Sequence, residues 1–200
     1  MQIAQMEDIK RARQLLESVI KSNPQEGDAW LALARVEEVA GKTFKAQKVI
    51  QRGCENCPKN EDVWLEAVRL NSHENGKRIC ADAITYIPKS VKIWLRMMEL
   101  EDDTEAKKCV LQKALEQVPQ SVELWKEAVN LEENPSDAHT LLAWATELIP
   151  LSVELRLALA RLETYQTASN ILNSTRESVH TSHENRIAAV RLEEQQNNNN

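Results

Sequence analysis

The sequence repeats itself about every 31 residues, and this periodicity restricts the chain to repeat architectures. Five of its six prolines mark the period, at successive intervals of 34, 30, 31 and 31 residues. We call them the marker prolines: Pro24, Pro58, Pro88, Pro119 and Pro150. A unit of this length cannot bury an apolar face alone, so such units become stable by stacking on their neighbours.

Alignment on the marker prolines produces columns of related residues. The Trp column stands six residues after the marker and consists of Trp30, Trp64, Trp94 and Trp125, with Arg156 and Arg186 at the same position in the last two repeats. The Glu column stands thirteen residues after the marker and consists of Glu37, Glu101, Glu132 and Glu163, with Asn71 in the second repeat. Columns that recur in one register predict the same structural unit in every repeat.

Each period is predicted to form two helices. The first begins after the marker, where Ser90, Ser121 and Ser152 can cap three of the helices. The second ends before the next proline, because the residue ahead of a proline is disfavoured in the α conformation. The predicted fold class is therefore all-α, a right-handed α-α superhelix, or solenoid, of helix pairs. A closed helical bundle, the alternative, does not explain columns in constant register.

The periodicity also predicts how the chain is divided. We expect an N-terminal extension over residues 1–7, a solenoid over residues 8–196 and a poly-Asn tail over residues 197–200. The solenoid would comprise an unpaired helix near 8–22, five helix pairs and an unpaired helix near 182–196. Neither end offers a polar cap, so the chain resembles part of a longer superhelix, and self-association through its uncapped ends is expected.

Composition and charge argue against several functional classes. Only 4 of the 200 residues are glycine, and phosphate-cradling loops and nucleophile elbows require glycine. The net charge of -6 has the wrong sign for sequence-blind binding to nucleic acid. The sequence has no apolar run that could span a bilayer and no signal peptide, so we expect an intracellular protein without membrane partners.

The cysteines and histidines do not form a recognisable site. Cys54-x-x-Cys57 lacks the second ligand pair that zinc needs, and His180-x-x-His183 supplies only two nitrogen ligands. The other two cysteines, Cys80 and Cys109, belong to different predicted helices. We therefore predict no catalytic residues, no metal and no cofactor, and no small-molecule substrate.

Three columns are candidates for a functional or structural role. The tryptophans could stack on bases, but their spacing favours burial between the two helices of each repeat. The glutamates are expected to accept hydrogen bonds from backbone amides at the start of the following helix. A row eleven residues past the marker reads Arg35, Arg69, Glu99, Asn130, Arg161 and Arg191. Its arginines, Arg35, Arg69, Arg161 and Arg191, are the predicted partner-binding residues, with solvated surface as the alternative.

The repeat resembles a known family. A Trp followed seven residues later by Glu, as in Trp30 and Glu37, and a helix of the form Ala-Arg-x-Leu-Leu ahead of a proline, as in residues 12–24, resemble the HAT (half-a-tetratricopeptide) repeat. HAT repeats are known from RNA-processing assemblies. Phrases such as AWLALARVEEVAGK and SVELRLALARLETYQTASNIL are similar to the superhelix of the splicing factors that bridge the tri-snRNP.

The resemblance implies a nuclear, non-enzymatic scaffold in pre-mRNA splicing. It would hold the U5 particle to the U4/U6 particle, bind spliceosomal snRNP proteins, and associate with snRNA only indirectly. The alternative is a HAT scaffold of another RNA-processing assembly, such as a different splicing complex, messenger RNA 3′-end cleavage or ribosomal RNA processing. An enzyme ranks last, because the sequence contains no catalytic constellation.

Overall fold

A computed structural model describes residues 2–162 of the chain, and these residues form only helices. The ten helices of this part are α1 (Gln2–Ser22), α2 (Gly27–Val39), α3 (Thr43–Asn56), α4 (Glu61–Leu70), α5 (His73–Tyr86), α6 (Val91–Glu99), α7 (Thr104–Gln117), α8 (Val122–Asn130), α9 (Pro135–Leu148) and α10 (Val153–Leu162). The all-α prediction is confirmed. Several predicted features lie outside the described residues: Glu163, the His180 and His183 pair, Arg191, the helix near 182–196 and the tail.

The helices alternate between two roles. We call α2, α4, α6, α8 and α10 the A helices, because each follows a marker proline and carries a Trp-column position. The B helices are α1, α3, α5, α7 and α9, and each ends two residues before a marker proline, as predicted. Prolines therefore separate every B helix from the A helix of the next repeat.

The chain divides into two compact units, Met1–Val110 and Leu111–Asn200. In the first unit, helices α1 to α6 each pack against the next along the chain, and α4 also packs against α2 and α6. In the described part of the second unit, α9 packs between α8 and α10, which also contact each other. Among the described helices of the first unit, α1, α3 and α5 make no contacts with one another. Within each unit, the described A helices thus lie side by side, and in the first unit α1, α3 and α5 contact only A helices.

Local sequence sets where the A helices begin. The hydroxyl oxygens of Ser90, Ser121 and Ser152 accept hydrogen bonds from the backbone N–H groups three residues later, as the sequence predicts. Asn60 occupies the same position before α4, and its side chain accepts a hydrogen bond from the Val63 N–H. The first A helix, α2, has no side-chain cap.

Each unit has its own apolar core. In the first unit, Ile50, Val63 and Cys80 are fully buried where B helices meet A helices. In the second unit, Leu142 of α9 and Leu155 of α10 are buried together with Trp125. In both cores, apolar residues of B helices pack against apolar residues of A helices, so burial recurs with the repeat.

Two features of the first repeat differ from the sequence expectation or from the later repeats. Helix α1 begins at Gln2 rather than near residue 8, because residues 2–7 contain no helix breaker and continue the helix. The first repeat interval of 34 residues is long because α2 has 13 residues, whereas α4 has 10 and α6 has 9. A turn through Gly41, whose φ is +74°, then leads into α3.

Candidate functional site

The Trp column is a buried structural element. The four tryptophans are only 5–7% exposed, and they lie on the packed faces of α2, α4, α6 and α8. Each indole N–H donates a hydrogen bond to the carbonyl of its own marker proline, six residues earlier, at 2.8–2.9 Å. The proline and Trp columns therefore form one recurring contact. Rings buried in this way cannot serve as a platform for stacking bases.

A column of small residues accompanies the tryptophans and was missed in the sequence. Five residues before the marker stand Gly53, Ala83, Ala114 and Ala145, all buried. A Cβ atom on Gly53 would lie 3.0 Å from the Trp30 Cβ and 3.1 Å from Val63 Cγ1. The B helix passes this close to the indole, so the position accepts only a small residue. The constant register of small residues is the signal that could have identified it.

In the first and third repeats, the Glu-column residues Glu37 and Glu101 are bound by cations rather than by backbone amides. Glu37 is fully buried, and Arg13 of α1 donates two hydrogen bonds to its carboxylate, at 2.5 and 2.8 Å. Lys45 of α3 donates a third at 2.7 Å. Burial opposes ionisation of Glu37, but the hydrogen bonds and charges of Arg13 and Lys45 outweigh it and lower its pKa. The carboxylate therefore joins three consecutive helices.

The basic partner of the Glu column is itself a column. Eleven residues before the marker stand Arg13, Lys77, Lys108 and His139, with Gln47 in the second repeat. Lys77 donates to Glu101 at 2.9 Å, across the same 24-residue separation as Arg13 and Glu37. In the second repeat, where Asn71 replaces glutamate, Gln47 replaces the cation and donates to the Leu70 carbonyl. In the second repeat, neutral residues thus replace both the cation and the glutamate.

The coupling between the basic column and the Glu column can be tested in the third repeat. We expect Lys77→Gln or Glu101→Asn alone to lower the melting temperature, because each leaves a half-buried charge without its partner. The double variant recreates the neutral pair of the second repeat and should melt closer to the parent than the two single losses predict. Thermal unfolding followed by circular dichroism measures the difference. Additive losses would contradict the coupling of the two columns.

The predicted partner-binding row begins in an ion-pair network. Arg69 of α4 donates to both oxygens of Glu38, at 3.1 and 2.5 Å, and to Glu66 at 2.9 Å. Arg35 of α2 donates to Glu66 at 3.1 Å. Glu66 is buried, whereas Arg35 and Arg69 are largely exposed. The two arginines therefore connect neighbouring A helices, and their role in partner binding stays a prediction.

The rest of the row is exposed and varied in charge. Glu99 of α6 pairs with Arg96 at 2.7 Å, and Asn130 stands at the next position. Arg161 of α10 is exposed, and neither a hydrogen bond nor an ion pair involves it within the described residues. The described A helices thus present differing side chains at equivalent positions. Among the charged ones, Arg161 is the one that a partner could engage without displacing a contact to another described residue.

The network predicts how stability depends on pH. Hydrogen bonds from Arg69, and then from Arg35, hold the pKa of Glu66 below its ordinary value against the opposing effect of burial. Arg69 lowers the pKa of Glu38 in the same way. Below an ordinary carboxyl pKa of 4.5, the unfolded chain binds more protons than the folded chain. The contribution of these carboxylates to stability is therefore complete above that pH and is lost as the pH falls through their folded pKa values.

We expect the free energy of unfolding to fall as the pH is lowered from about 6 to about 3, with a smaller decline in Glu66→Gln. The variant should be less stable than the parent at pH 6 and approach it at pH 3, because protonation removes the same charge. Urea unfolding at a series of pH values, followed by circular dichroism, gives both slopes. Equal slopes would show that Glu66 does not carry the effect.

The environments of the three buried cysteines, Cys54, Cys57 and Cys80, do not favour metal or redox chemistry. Burial raises the pKa of the Cys54 thiol to about 12 and that of Cys80 to about 11, so both are protonated at neutral pH. The Cys57 thiol is also buried and lies 3.5 Å from the Pro24 carbonyl oxygen. Across residues 2–162, no cluster of His, Cys, Asp and Glu could hold a metal ion. Over the same range, no helix is both long and apolar enough for a membrane span.

Known proteins share both the repeat and the sequence. A family model described as "Tetratricopeptide repeat" matches residues 27–70, which contain α2, α3 and α4. Over 159 residues, or 80% of this chain, the sequence is 64% identical to pre-mRNA-splicing factor prp1 of Schizosaccharomyces pombe. This chain is similar to one segment of the prp1 and Prp6 splicing factors. The resemblance predicted from the repeat columns is confirmed.

Two further splicing factors match the same kind of segment. Pre-mRNA-processing factor 6 of Homo sapiens is 53% identical over 104 residues, or 52% of this chain. Pre-mRNA-splicing factor 6 of Saccharomyces cerevisiae is 40% identical over 116 residues, or 56% of this chain. The matches cover 18% of prp1, 11% of the human factor and 13% of the yeast factor. The chain therefore corresponds to a small part of each of these splicing factors.

Proposed function

We propose that this chain is a non-enzymatic scaffold segment that acts in pre-mRNA splicing in the nucleus. The observation that carries the proposal is its 64% identity to prp1, which extends over most of the chain. The tetratricopeptide-type repeat supports a scaffold, because repeat arrays offer extended surfaces for binding proteins. A net charge of -6 favours protein partners over direct contact with RNA.

The structural geometry supports a binding surface along the A helices. The buried carboxylates are held ionised by ion pairs within the fold, and the buried thiols are held protonated by their apolar surroundings. These groups are therefore not available on the surface. The row positions of the A helices are exposed and differ in charge within each unit, as with Arg35, Arg69 and Glu99 in the first unit and Asn130 and Arg161 in the second. A surface of this kind suits an extended protein partner that contacts several repeats.

The finer proposal is that the chain contributes to bridging the U5 and U4/U6 particles of the tri-snRNP. Its partners would be snRNP proteins, and snRNA would be recovered with it only through them. An epitope-tagged full chain, added to nuclear extract and recovered, tests this by blotting for the spliceosomal snRNAs. Recovery of U5 together with U4 and U6 supports bridging. Recovery of ribosomal RNA-processing or 3′-end cleavage components in their place would move the chain to another assembly.

The arginine row provides the variant for this experiment. Reversing the charge of Arg161 and Arg191 together should reduce snRNA recovery without changing the melting curve, since Arg161 makes no internal contact in the described structure. Lys126→Glu is a matched control, because it also reverses a half-exposed cation on an A helix, but one that pairs with Glu154 at 2.9 Å. Undiminished recovery with the arginine variant would remove the row from the binding surface.

A further inference from the structure

Three outward positions recur around the end of every B helix. They stand six and two residues before the marker proline and one residue after it, and they are exposed in all five repeats. In the first four repeats they are polar, apart from one tyrosine: Ser18, Ser22, Gln25; Arg52, Asn56, Lys59; Asp82, Tyr86, Lys89; Lys113, Gln117, Gln120. Solvent is therefore the ordinary environment of these positions.

The fifth repeat is apolar at all three positions. Trp144 is 57% exposed, Leu148 is 51% exposed, and Leu151, just beyond the end of α9, is 70% exposed. Trp144 is the one tryptophan of the chain outside the Trp column. Scattered exposed apolar residues are normal, but a change of three equivalent positions in one repeat creates a concentrated apolar face. Tryptophan is also the residue most enriched among those that dominate binding energy at interfaces.

The spacing of this face is that of a helix-docking seam. Together with the half-buried Leu141, the three residues are separated by intervals of three, four and three. The first three of these residues lie along one stripe of α9, as in coiled-coil contacts, and Leu151 follows in the turn beyond the helix end. The internal contacts of α9 use a different stripe, which contains Ala138, Leu142 and Ala145. Trp144, Leu148 and Leu151 are exposed beside that stripe, whereas Leu141 also packs against the core of the second unit.

The charges on α9 indicate what kind of helix would fit. Its charged residues are Asp137 and Glu147, both exposed, and it contains no lysine or arginine. Glu147 stands immediately before Leu148 and three residues after Trp144, the position from which coiled-coil residues form ion pairs across the seam. An acidic flank favours a partner with lysine or arginine beside its apolar stripe. A second copy of α9 would bring like charges together.

We propose that the seam of Leu141, Trp144, Leu148 and Leu151 docks a basic amphipathic helix of a partner protein. The partner helix would present aliphatic side chains at alternating three- and four-residue spacing, flanked by lysine or arginine. The inference rests on the proposed scaffold role, of which it names one binding surface. It assigns that surface to a B helix, whereas the arginine row belongs to the A helices.

Two synthetic helical peptides of about 21 residues test the proposal. Both peptides carry leucine along the stripe that would face the seam. One has lysine at the positions flanking this stripe, and the other has glutamate there. We expect the full chain to bind the lysine peptide and to bind the glutamate peptide at least tenfold more weakly in fluorescence anisotropy titrations. Glu147→Lys should reduce binding of the lysine peptide and increase binding of the glutamate peptide, because it reverses the flanking charge.

The residues of the preceding repeat define a variant that removes the apolar face. Trp144→Lys, Leu148→Gln and Leu151→Gln together install the residues that the preceding repeat carries at these positions, so folding should be unaffected. This variant should bind the lysine peptide about tenfold more weakly or worse. Phe44→Gln removes another exposed aromatic residue, 69% exposed on α3, and should bind the peptide like the parent.

The outcomes separate this proposal from the splicing role. Equal affinity of the two peptides, or unchanged affinity of the triple variant, would overturn the docking surface. So would sedimentation showing that the parent self-associates through this face and the triple variant does not. A parent that binds the lysine peptide but recovers no spliceosomal snRNA supports the docking surface and overturns the splicing assignment.

Discussion

Trp94→Ala is expected to lower the free energy of unfolding by about 3–5 kcal/mol. The indole is 5% exposed, and its N–H donates to the Pro88 carbonyl at 2.8 Å, so the substitution leaves both a cavity and an unpaired acceptor. Urea unfolding followed by circular dichroism measures the loss. Trp94→Phe keeps an aromatic ring but removes the hydrogen bond, and we expect it to cost about 1–3 kcal/mol.

The off-column tryptophan provides the matched control. Trp144 is more than half exposed, so the same change to alanine should alter stability by no more than about 0.5 kcal/mol. If Trp94→Ala unfolded like the parent but failed to bind a partner, the Trp column would be a recognition surface rather than a structural one. Equal losses at Trp94 and Trp144 would also contradict the structural assignment.

Arg13→Met is expected to cost about 3 kcal/mol, because it leaves the buried Glu37 carboxylate without the two hydrogen bonds from the guanidinium. Methionine retains much of the aliphatic stem of arginine, so the loss reports mainly on the charge. Lys45 still binds Glu37 in this variant, which keeps the effect at the lower end of the range for a broken buried pair. Urea unfolding at neutral pH measures it.

Removing the carboxylate as well should recover part of the loss. In the double variant Arg13→Met and Glu37→Met, no buried charge is left unpaired, and apolar side chains fill the site. Lys45 is half exposed and can return to water. A double variant less stable than Arg13→Met alone would show that the ion pair itself, rather than the cost of a lone carboxylate, stabilises this junction.

The repeat columns were sufficient to predict the helices and their order. Proline spacing located the ends of the B helices, and the serine positions located three A-helix starts, because both effects are local to the backbone. The start of α1 was placed too late, since no sequence feature separates Gln2 from the helix that follows. Local patterns thus predicted which helices form, but they did not predict where α1 begins.

The contacts between columns were harder to predict. Neither the bond from the indole to the Pro88 carbonyl nor the pairing of Arg13 with Glu37 is visible in a single column, since each joins two positions that only the fold brings together. The Glu column was expected to cap a following helix, but Glu37 and Glu101 bind cations instead. The joint replacement by Gln47 and Asn71 was the one trace of this pairing in the sequence.

In the first unit, B helices contact A helices but not one another, which leaves their outer sides unconstrained by packing. Substitutions on these outer sides affect the packing of one repeat and change the stability of the other repeats little. An architecture of this kind allows the exposed residues of a single helix to change, and in the second unit Trp144 and Leu148 of α9 are such a departure from the polar residues of the other repeats. Successive repeats can therefore diverge in what they bind while the framework that supports them stays the same.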